Sequence, residues 1–250
     1  DVRRGGRSGR AALDMELQTH NVLAKLKYDK AENFESKFGV ELTYQNNFPN
    51  PETGVRRLIP DYDMFKIGSF WTGNYQLNEN WFANAGIRYD FTYVDAQKFY
   101  QQSRWDDLGY QDEFEDIIVE DLGTQLLTNP TFNFNNVSAN LGLQYSKNDW
   151  VWNTNLGTAS RAPNPSELFS DGLHHSIAAI ELGDLRIESE QSYKLSTQLK
   201  KTFAKWQFDL SLYYNYINNY ILLEPSGFEQ TIRGAFPVFE YKQTNALLTG

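Results

Sequence analysis

The feature that most constrains the fold is a strict two-residue alternation of apolar and polar side chains. The clearest case is the stretch 81–95, WFANAGIRYDFTYVD. One face of this stretch would carry Trp81, Ala83, Ala85, Ile87, Tyr89, Phe91 and Tyr93, and the other face Asn84, Gly86, Arg88, Asp90 and Thr92. Alternation of this kind predicts a β-strand with one apolar and one polar face. The stretches 136–146 and 206–216 repeat the pattern.

Nine strands are predicted in this way. They cover 13–28, 35–46, 62–77, 81–95, 136–146, 150–160, 192–203, 206–216 and about 237–249. Several exceed the usual strand length of about five or six residues in globular sheets. They match instead the 9–11 residues or so that a tilted strand needs to cross a bilayer. In the first strand the apolar side chains change phase between Leu17 and Val22, which we interpret as a β-bulge.

The connections between these strands alternate in length. Short links at 78–80, 148–149 and 204–205 alternate with long ones at about 96–133, 162–187 and 223–236. Outer-membrane barrels have this asymmetry, with short periplasmic turns and long extracellular loops. Trp150, Trp152 and Trp206 follow short turns, where such barrels carry an aromatic girdle. The predicted fold is therefore all-β: an antiparallel transmembrane β-barrel, present here as a partial barrel of about nine long strands.

Composition agrees with this fold and excludes other classes. Mean hydropathy is only −0.59 although aromatic residues reach 15%, as expected where short apolar faces alternate with polar ones. The apolar runs are too short for a membrane helix, which needs about 20 residues. The net charge of −9 argues against nucleic acid as a partner.

Two motifs lie around the second long link, 162–187. The first is Ser160-Arg161-Ala162-Pro163 followed by Pro165-Ser166-Glu167-Leu168, and the second is Gly183-Asp184-Leu185-Arg186 followed by Glu188 and Glu190. They resemble the (F)RAP-S-EL motif and the G(N/D)-x-L-x-x-E-x-S block of TonB-dependent outer-membrane receptors, with Ser160 in the place of Phe. The stretches 85–90 and 213–221 are similar to further pieces of that family, and the order of all four is the family's order.

The resemblance implies that residues 1–250 are the C-terminal part of such a receptor's β-barrel, and that the N-terminal plug domain is absent from this chain. The implied partners are the TonB–ExbB–ExbD complex, outer-membrane lipid and lipopolysaccharide, and an extracellular small-molecule ligand. The implied location is the bacterial outer membrane. No cofactor is required, and the implied cargo is zinc, an iron-siderophore or haem.

The motif residues are expected to have a structural role: Arg161, Pro163, Glu167, Leu168, Gly183, Asp184 and Glu190. Proline has no N–H to continue a ladder, so Pro163 and Pro165 should end the strand at its outer rim. Arg161 is expected to pair with Glu167 or Glu190 and to tie the base of the loop to the wall.

The same loop carries candidate ligand residues, namely Asp171, His174, His175 and Glu181. Imidazole and carboxylate groups suit zinc and other transition metals, and His174 and His175 are the expected metal ligands. A resemblance of this stretch to receptors linked to zinc uptake supports that hypothesis, and haem receptors also place a His between their two motifs. The alternative is a surface loop that happens to contain two histidines. The acidic residues of the 96–133 link form either a solvated surface or a cation-attracting mouth.

Three function classes follow. The favoured one is TonB-energised uptake of a scarce nutrient, and the alternative is a passive outer-membrane porin or adhesin. A hydrolase would need His174 or His175 as base and Ser166 or Ser176 as nucleophile, but the sequence has no Gly-x-Ser-x-Gly elbow. We therefore expect no catalytic residues and no enzyme activity.

Overall fold

A computed structural model describes residues 14–50, 57–231 and 235–250 of the chain. Its strands and helices, in chain order, are β1 Met15–Ala31, β2 Phe34–Pro49, β3 Asp61–Gln76, β4 Trp81–Gln101, α1 Gln102–Asp107, β5 Ile118–Asp121, β6 Gln125–Thr128, β7 Thr131–Lys147, β8 Trp150–Arg161, α2 Pro165–Phe169, β9 Asp171–His174, β10 Ala179–Leu182, β11 Glu190–Thr202, β12 Gln207–Thr231 and β13 Ala235–Thr249. Two short 3-10 turns, Tyr110–Asp112 and Glu115–Ile117, follow α1.

Nine of these strands are long and form one open antiparallel wall in the order β1-β2-β3-β4-β7-β8-β11-β12-β13. They range from 12 residues in β8 to 25 in β12. The prediction of a partial barrel with nine long strands is thereby confirmed. The other four strands are short and lie within the long links: β5 and β6 form a hairpin beside β4, and β9 and β10 continue the sheet from β13. In the described part of the chain, no helix has the length and apolar character to cross a membrane.

One predicted long loop is wrong. Residues 223–236 were expected to be irregular, but β12 and β13 form a ladder that extends out to the pair Thr231 and Ala235. The register shifts between Pro225 and Glu229, and Gly227 has a φ of 79°. A bulge of this kind accommodates residues that disfavour a regular ladder, so Pro225 and Gly227 lie inside a bent hairpin.

The predicted bulge in the first strand is also wrong. The pairing of β1 with β2 runs without a shift from Met15 to Tyr28, and the irregularity lies between Tyr28 and Ala31. Leu17 therefore lies on the same face as Leu23, opposite the face of Val22. The change of phase in the sequence therefore means that the apolar residues move from one face of β1 to the other. No extra residue is inserted into the strand there.

The apolar face of the wall is exposed. Ile87, Leu141 and Leu210 expose 53%, 59% and 44% of their surface. A soluble sheet would bury this face against a second layer. The exposed face, called the outer face here, is therefore the one that meets lipid in a membrane barrel.

The opposite, inner face carries the polar side chains. Arg88 of β4 donates to Asp90 at 2.6 and 2.7 Å and reaches across β3 to Glu41 of β2 at 2.9 Å. This crossing passes over Gly68, where a Cβ would overlap the Arg88 guanidinium. The charges on this face are thus paired across three strands, as a water-facing wall allows.

The hydrophobic core lies on the inner face at the end of the wall with the long loops. There the side chains of Val94, Ala96 and Tyr100 in β4 point inward, and each residue has at most 3% of its surface exposed. Tyr62 of β3 and Phe132 of β7 pack with them. The inner face is therefore polar along most of the wall and apolar at its outer end, and something must cover that apolar end.

Candidate functional site

The cover is the link between β8 and β11, residues 162–189, called the mouth segment here. It contains α2, β9 and β10. Leu168 and Phe169 of α2 are completely buried in the core formed by the inward side chains of β3 and β4. The Phe169 ring lies 6.0 Å from that of Phe132. The long link predicted at 162–187 is thus a folded element that closes over this part of the wall.

The base of the mouth segment is held by Arg161, the last residue of β8. Its guanidinium donates to both carboxylate oxygens of Glu167, at 2.9 and 3.1 Å, and to Glu190 of β11 at 3.3 Å. Arg161 therefore makes both of the contacts that were expected as alternatives. A two-pronged guanidinium–carboxylate pair is among the strongest and most directional polar contacts in proteins.

The start of α2 follows from its sequence. Pro163 is buried in the link between β8 and the helix, and Pro165 is the first helical residue, where the missing N–H costs nothing. Glu167 accepts a hydrogen bond from the backbone N–H of Asn164 at 2.7 Å. Glu167 thus caps the helix and binds Arg161 with the same carboxylate.

Gly183 lies against the end of α2. A Cβ at this position would stand 2.6–2.7 Å from backbone atoms of Leu168 and Phe169. The Gly183 N–H donates to the carbonyl of Ser170 at 2.7 Å, and that of Asp184 to the carbonyl of Glu167 at 3.1 Å. Glycine is therefore required at position 183 of the second motif, because the end of α2, which follows the first motif, lies too close for a side chain.

Lys98 of β4 fixes the middle of the mouth segment to the wall. Its side chain is buried, and its Nζ donates to the carbonyl of Phe169 at 2.8 Å. The carboxylate of Asp171 lies 3.9 Å away, also buried. A buried ammonium needs such partners. The sequence analysis missed Lys98, although an isolated lysine among apolar neighbours, VDAQKFY, was visible.

A second link, residues 102–130, packs on the mouth segment. The Tyr110 hydroxyl donates to Asp184 at 2.9 Å and accepts from the N–H of Leu185 at 2.9 Å. Arg186 lies over the Tyr110 ring at 4.8 Å and binds Glu113 at 2.8–3.0 Å. Burial raises the pKa of the Tyr110 hydroxyl well above its usual range, and Arg186 lowers the pKa of Glu113. The two links therefore form one unit, in which Asp184 and Arg186 of the mouth segment contact Tyr110 and Glu113 of the second link.

The mouth segment also contacts β13 on one side and the start of β3 on the other. β10 pairs in parallel with β13 through Ile180 and Val238. At the other side the N–H of Asp171 donates to the carbonyl of Leu58, just before β3, at 2.9 Å. The segment thus crosses the open side of the sheet from β13 to the start of β3 and covers the apolar outer end of the described wall.

The four candidate ligand residues are only partly brought together. In the β9–β10 hairpin, His174 Nδ1 lies 2.6 Å from the buried carboxylate of Glu181. Asp171 pairs with Leu182, whereas Glu181 pairs with Gly172, so strand alternation places Asp171 on the opposite face. His175 follows β9 in the turn. Within the described ranges, no three His, Asp or Glu side chains are grouped to hold a metal ion.

Comparison with known structures supports the assignment of the fold. A copper transporter, OprC, superposes with a TM-score of 0.64 at 16% identity, over 94% of this chain and 35% of that one. The Serratia marcescens hemophore receptor HasR, solved with its hemophore HasA and heme, gives 0.64 at 14% identity, over 94% and 39%. The FrpB iron transporter from Neisseria meningitidis gives 0.54 at 12% identity, over 94% and 33%.

This chain therefore spans between one third and two fifths of the length of those proteins. A family model described as "TonB dependent receptor-like, beta-barrel" matches residues 3–247, nearly the whole chain. The short turns of the wall are then the periplasmic ones and the mouth segment is extracellular. The chain belongs to the β-barrel family of TonB-dependent receptors.

Proposed function

We propose that this chain forms wall and mouth of an outer-membrane receptor that imports a scarce metal in complexed form, energised by the TonB–ExbB–ExbD complex. Residues 1–250 contribute the partial barrel, and a plug domain outside this chain makes the contact with TonB. The family match supports uptake as the general activity. Three structural neighbours are a copper transporter, a receptor bound to a hemophore and heme, and an iron transporter, which agrees with a metal-containing cargo.

The observation that carries the cargo proposal is the pair His174–Glu181. A carboxylate that binds Nδ1 of a histidine fixes the ring and leaves Nε2 free to bind a metal. The His174 side chain is 40% exposed, so this nitrogen is accessible. Because Asp171 faces the other way, the hairpin offers one well-oriented nitrogen rather than a set of ligands.

One protein ligand suits a metal that brings its other ligands with it. A bare zinc ion in a protein takes three or four protein ligands, whereas haem or a metal chelate already fills most coordination positions. The geometry therefore favours haem, or an iron-siderophore with an open position, over free zinc. Zinc remains the second candidate, because carboxylate–histidine pairs also orient zinc ligands.

The cargo is tested with His174→Ala in the intact receptor, in outer-membrane vesicles. We expect haem titration of the unaltered receptor to give a shifted Soret band, and the variant to lose that shift and at least tenfold in affinity. His20→Ala is the matched control, because His20 stacks on Tyr44 in β2, far from the hairpin in the sheet order. Zinc binding by calorimetry that depends on His174 and His175, without a haem signal, would contradict the preference for a complexed metal.

The alternative of a passive porin or adhesin predicts a different dependence on energy. A TonB-energised receptor takes up its cargo only while the inner membrane is energised and TonB is present. Uptake of labelled haem by cells that carry the receptor, with and without TonB, separates the two. Equal uptake in both strains would favour the passive barrel.

A further inference from the structure

Two lysines stand in one row on the outer face of the wall, at its periplasmic end. Strand register pairs Lys147 of β7 with Trp150 of β8, Trp150 with Lys201 of β11, and Lys201 with Phe208 of β12. Residues that lie directly opposite each other point to the same face of a sheet. Lys147, Trp150, Lys201 and Phe208 are therefore neighbours, and are called the basic–aromatic row here.

The rows above it are largely apolar, apart from the two threonines in the row Leu143–Thr154–Thr197–Leu212. The next row toward the membrane is Tyr145–Trp152–Leu199–Leu210, and two rows further is Leu141–Leu156–Leu195–Tyr214. Leu141, Leu156 and Leu195 are each more than half exposed. The basic–aromatic row therefore marks the level at which the lipid-facing surface ends.

The chemistry of the row is that of a phosphate site beside acyl chains. Lys201 Nζ lies 5.2 Å from the Trp150 ring centre and 5.6 Å from that of Phe203. Among the residues that the structure describes, neither Lys147 nor Lys201 forms an ion pair with a carboxylate. Trp206 beside them is 78% exposed. Interfacial aromatic rings lie at headgroup depth, and lysines there attract anionic lipids.

We propose that the basic–aromatic row binds the headgroup phosphate of an anionic phospholipid in the periplasmic leaflet. The proposal rests on the placement of this wall in the outer membrane given above. Two positive charges on a chain with a net charge of −9 favour an anionic over a zwitterionic headgroup. The leucine rows above hold the acyl chains, and Trp150 and Phe208 contact the glycerol region.

The test is native mass spectrometry of the intact receptor titrated with phosphatidylglycerol or phosphatidylcholine. We expect the unaltered receptor to retain phosphatidylglycerol preferentially. Lys147→Gln should weaken this binding about fivefold, and Lys147→Gln with Lys201→Gln about twentyfold. Because Lys201 also donates to the carbonyl of Asn148 at 2.7 Å, the Lys147 variant separates the charge effect from an altered turn.

The matched control is Lys200→Gln. Lys200 is the adjacent residue of β11 but points to the inner face, where it lies 3.4 Å from Asp209, so its loss should leave lipid binding unchanged. Phospholipid bound without headgroup preference, or with a preference that survives both lysine substitutions, overturns the site alone. If the receptor binds neither phosphatidylglycerol nor phosphatidylcholine, the membrane placement is overturned as well. Tight binding of inorganic phosphate alone would overturn the assignment to a lipid.

Discussion

Replacement of Phe169 by alanine is expected to release the mouth segment from the wall while the wall itself stays folded. Phe169 has no exposed surface and packs against Phe132 and the inward side chains of β4. Truncation of a fully buried phenylalanine costs about 3–5 kcal/mol, because the cavity does not fully collapse. That is a large loss for a short segment. Its unfolding should therefore become a local event.

The measurement is hydrogen exchange of the intact receptor in detergent. Amides of α2, β9 and β10 should exchange at least a hundredfold faster in the variant, and those of β7, β8 and β11 should not change. Phe203→Ala is the matched control, because this phenylalanine is 54% exposed at a short turn. Unchanged protection of the mouth segment in Phe169→Ala would contradict the role of the core in closing the mouth.

Replacement of Lys98 by methionine should have an effect of similar size through electrostatics. The substitution keeps the length of the side chain but removes the donor to the Phe169 carbonyl and the positive charge near Asp171. Breaking a buried charge pair costs about 3–5 kcal/mol, because the remaining buried charge loses the opposite charge beside it. We therefore expect increased proteolysis within 162–189.

Two further variants test this explanation. Lys98→Met with Asp171→Leu should restore much of the protection, since the buried negative charge that lost its neighbouring cation is then removed as well. Lys242→Met should have little effect, because Lys242 lies half-exposed near Glu224 and Glu240. If the double variant is cleaved as fast as Lys98→Met alone, the loss is not due to removal of the positive charge beside Asp171.

The wall could be predicted from the sequence because a membrane barrel repeats one physical rule. Every long strand has a lipid side and a water side, so alternation alone located all nine. The rule fails where the environment of the inner face changes. In β7, Phe132 and Phe134 occupy the inner face and Val137 the outer one, within an uninterrupted ladder with β4. The prediction of this strand therefore began at residue 136 rather than at Thr131.

The folded mouth could not be predicted for the same reason. Its core combines side chains from α2 with inward residues of β3, β4 and β7 that are distant in sequence. A usable signal was the stretch 91–100, FTYVDAQKFY, where apolar residues occur at both odd and even positions. Two-sided apolar character indicates a strand covered on both faces. Tyr110 and Arg186 had no comparable signal, because their roles depend on how two links meet.

The central claim is that the outer face meets lipid and the inner face does not, and neighbouring residues of β7 test it most directly. The chain has no cysteine, so Leu141→Cys and Asn140→Cys can each carry a single fluorophore in liposomes, in an intact receptor freed of any cysteine outside residues 1–250. A nitroxide on the lipid acyl chain should quench the label at position 141 strongly and the label at 140 weakly. Equal quenching at both positions, or stronger quenching at position 140, would contradict the account.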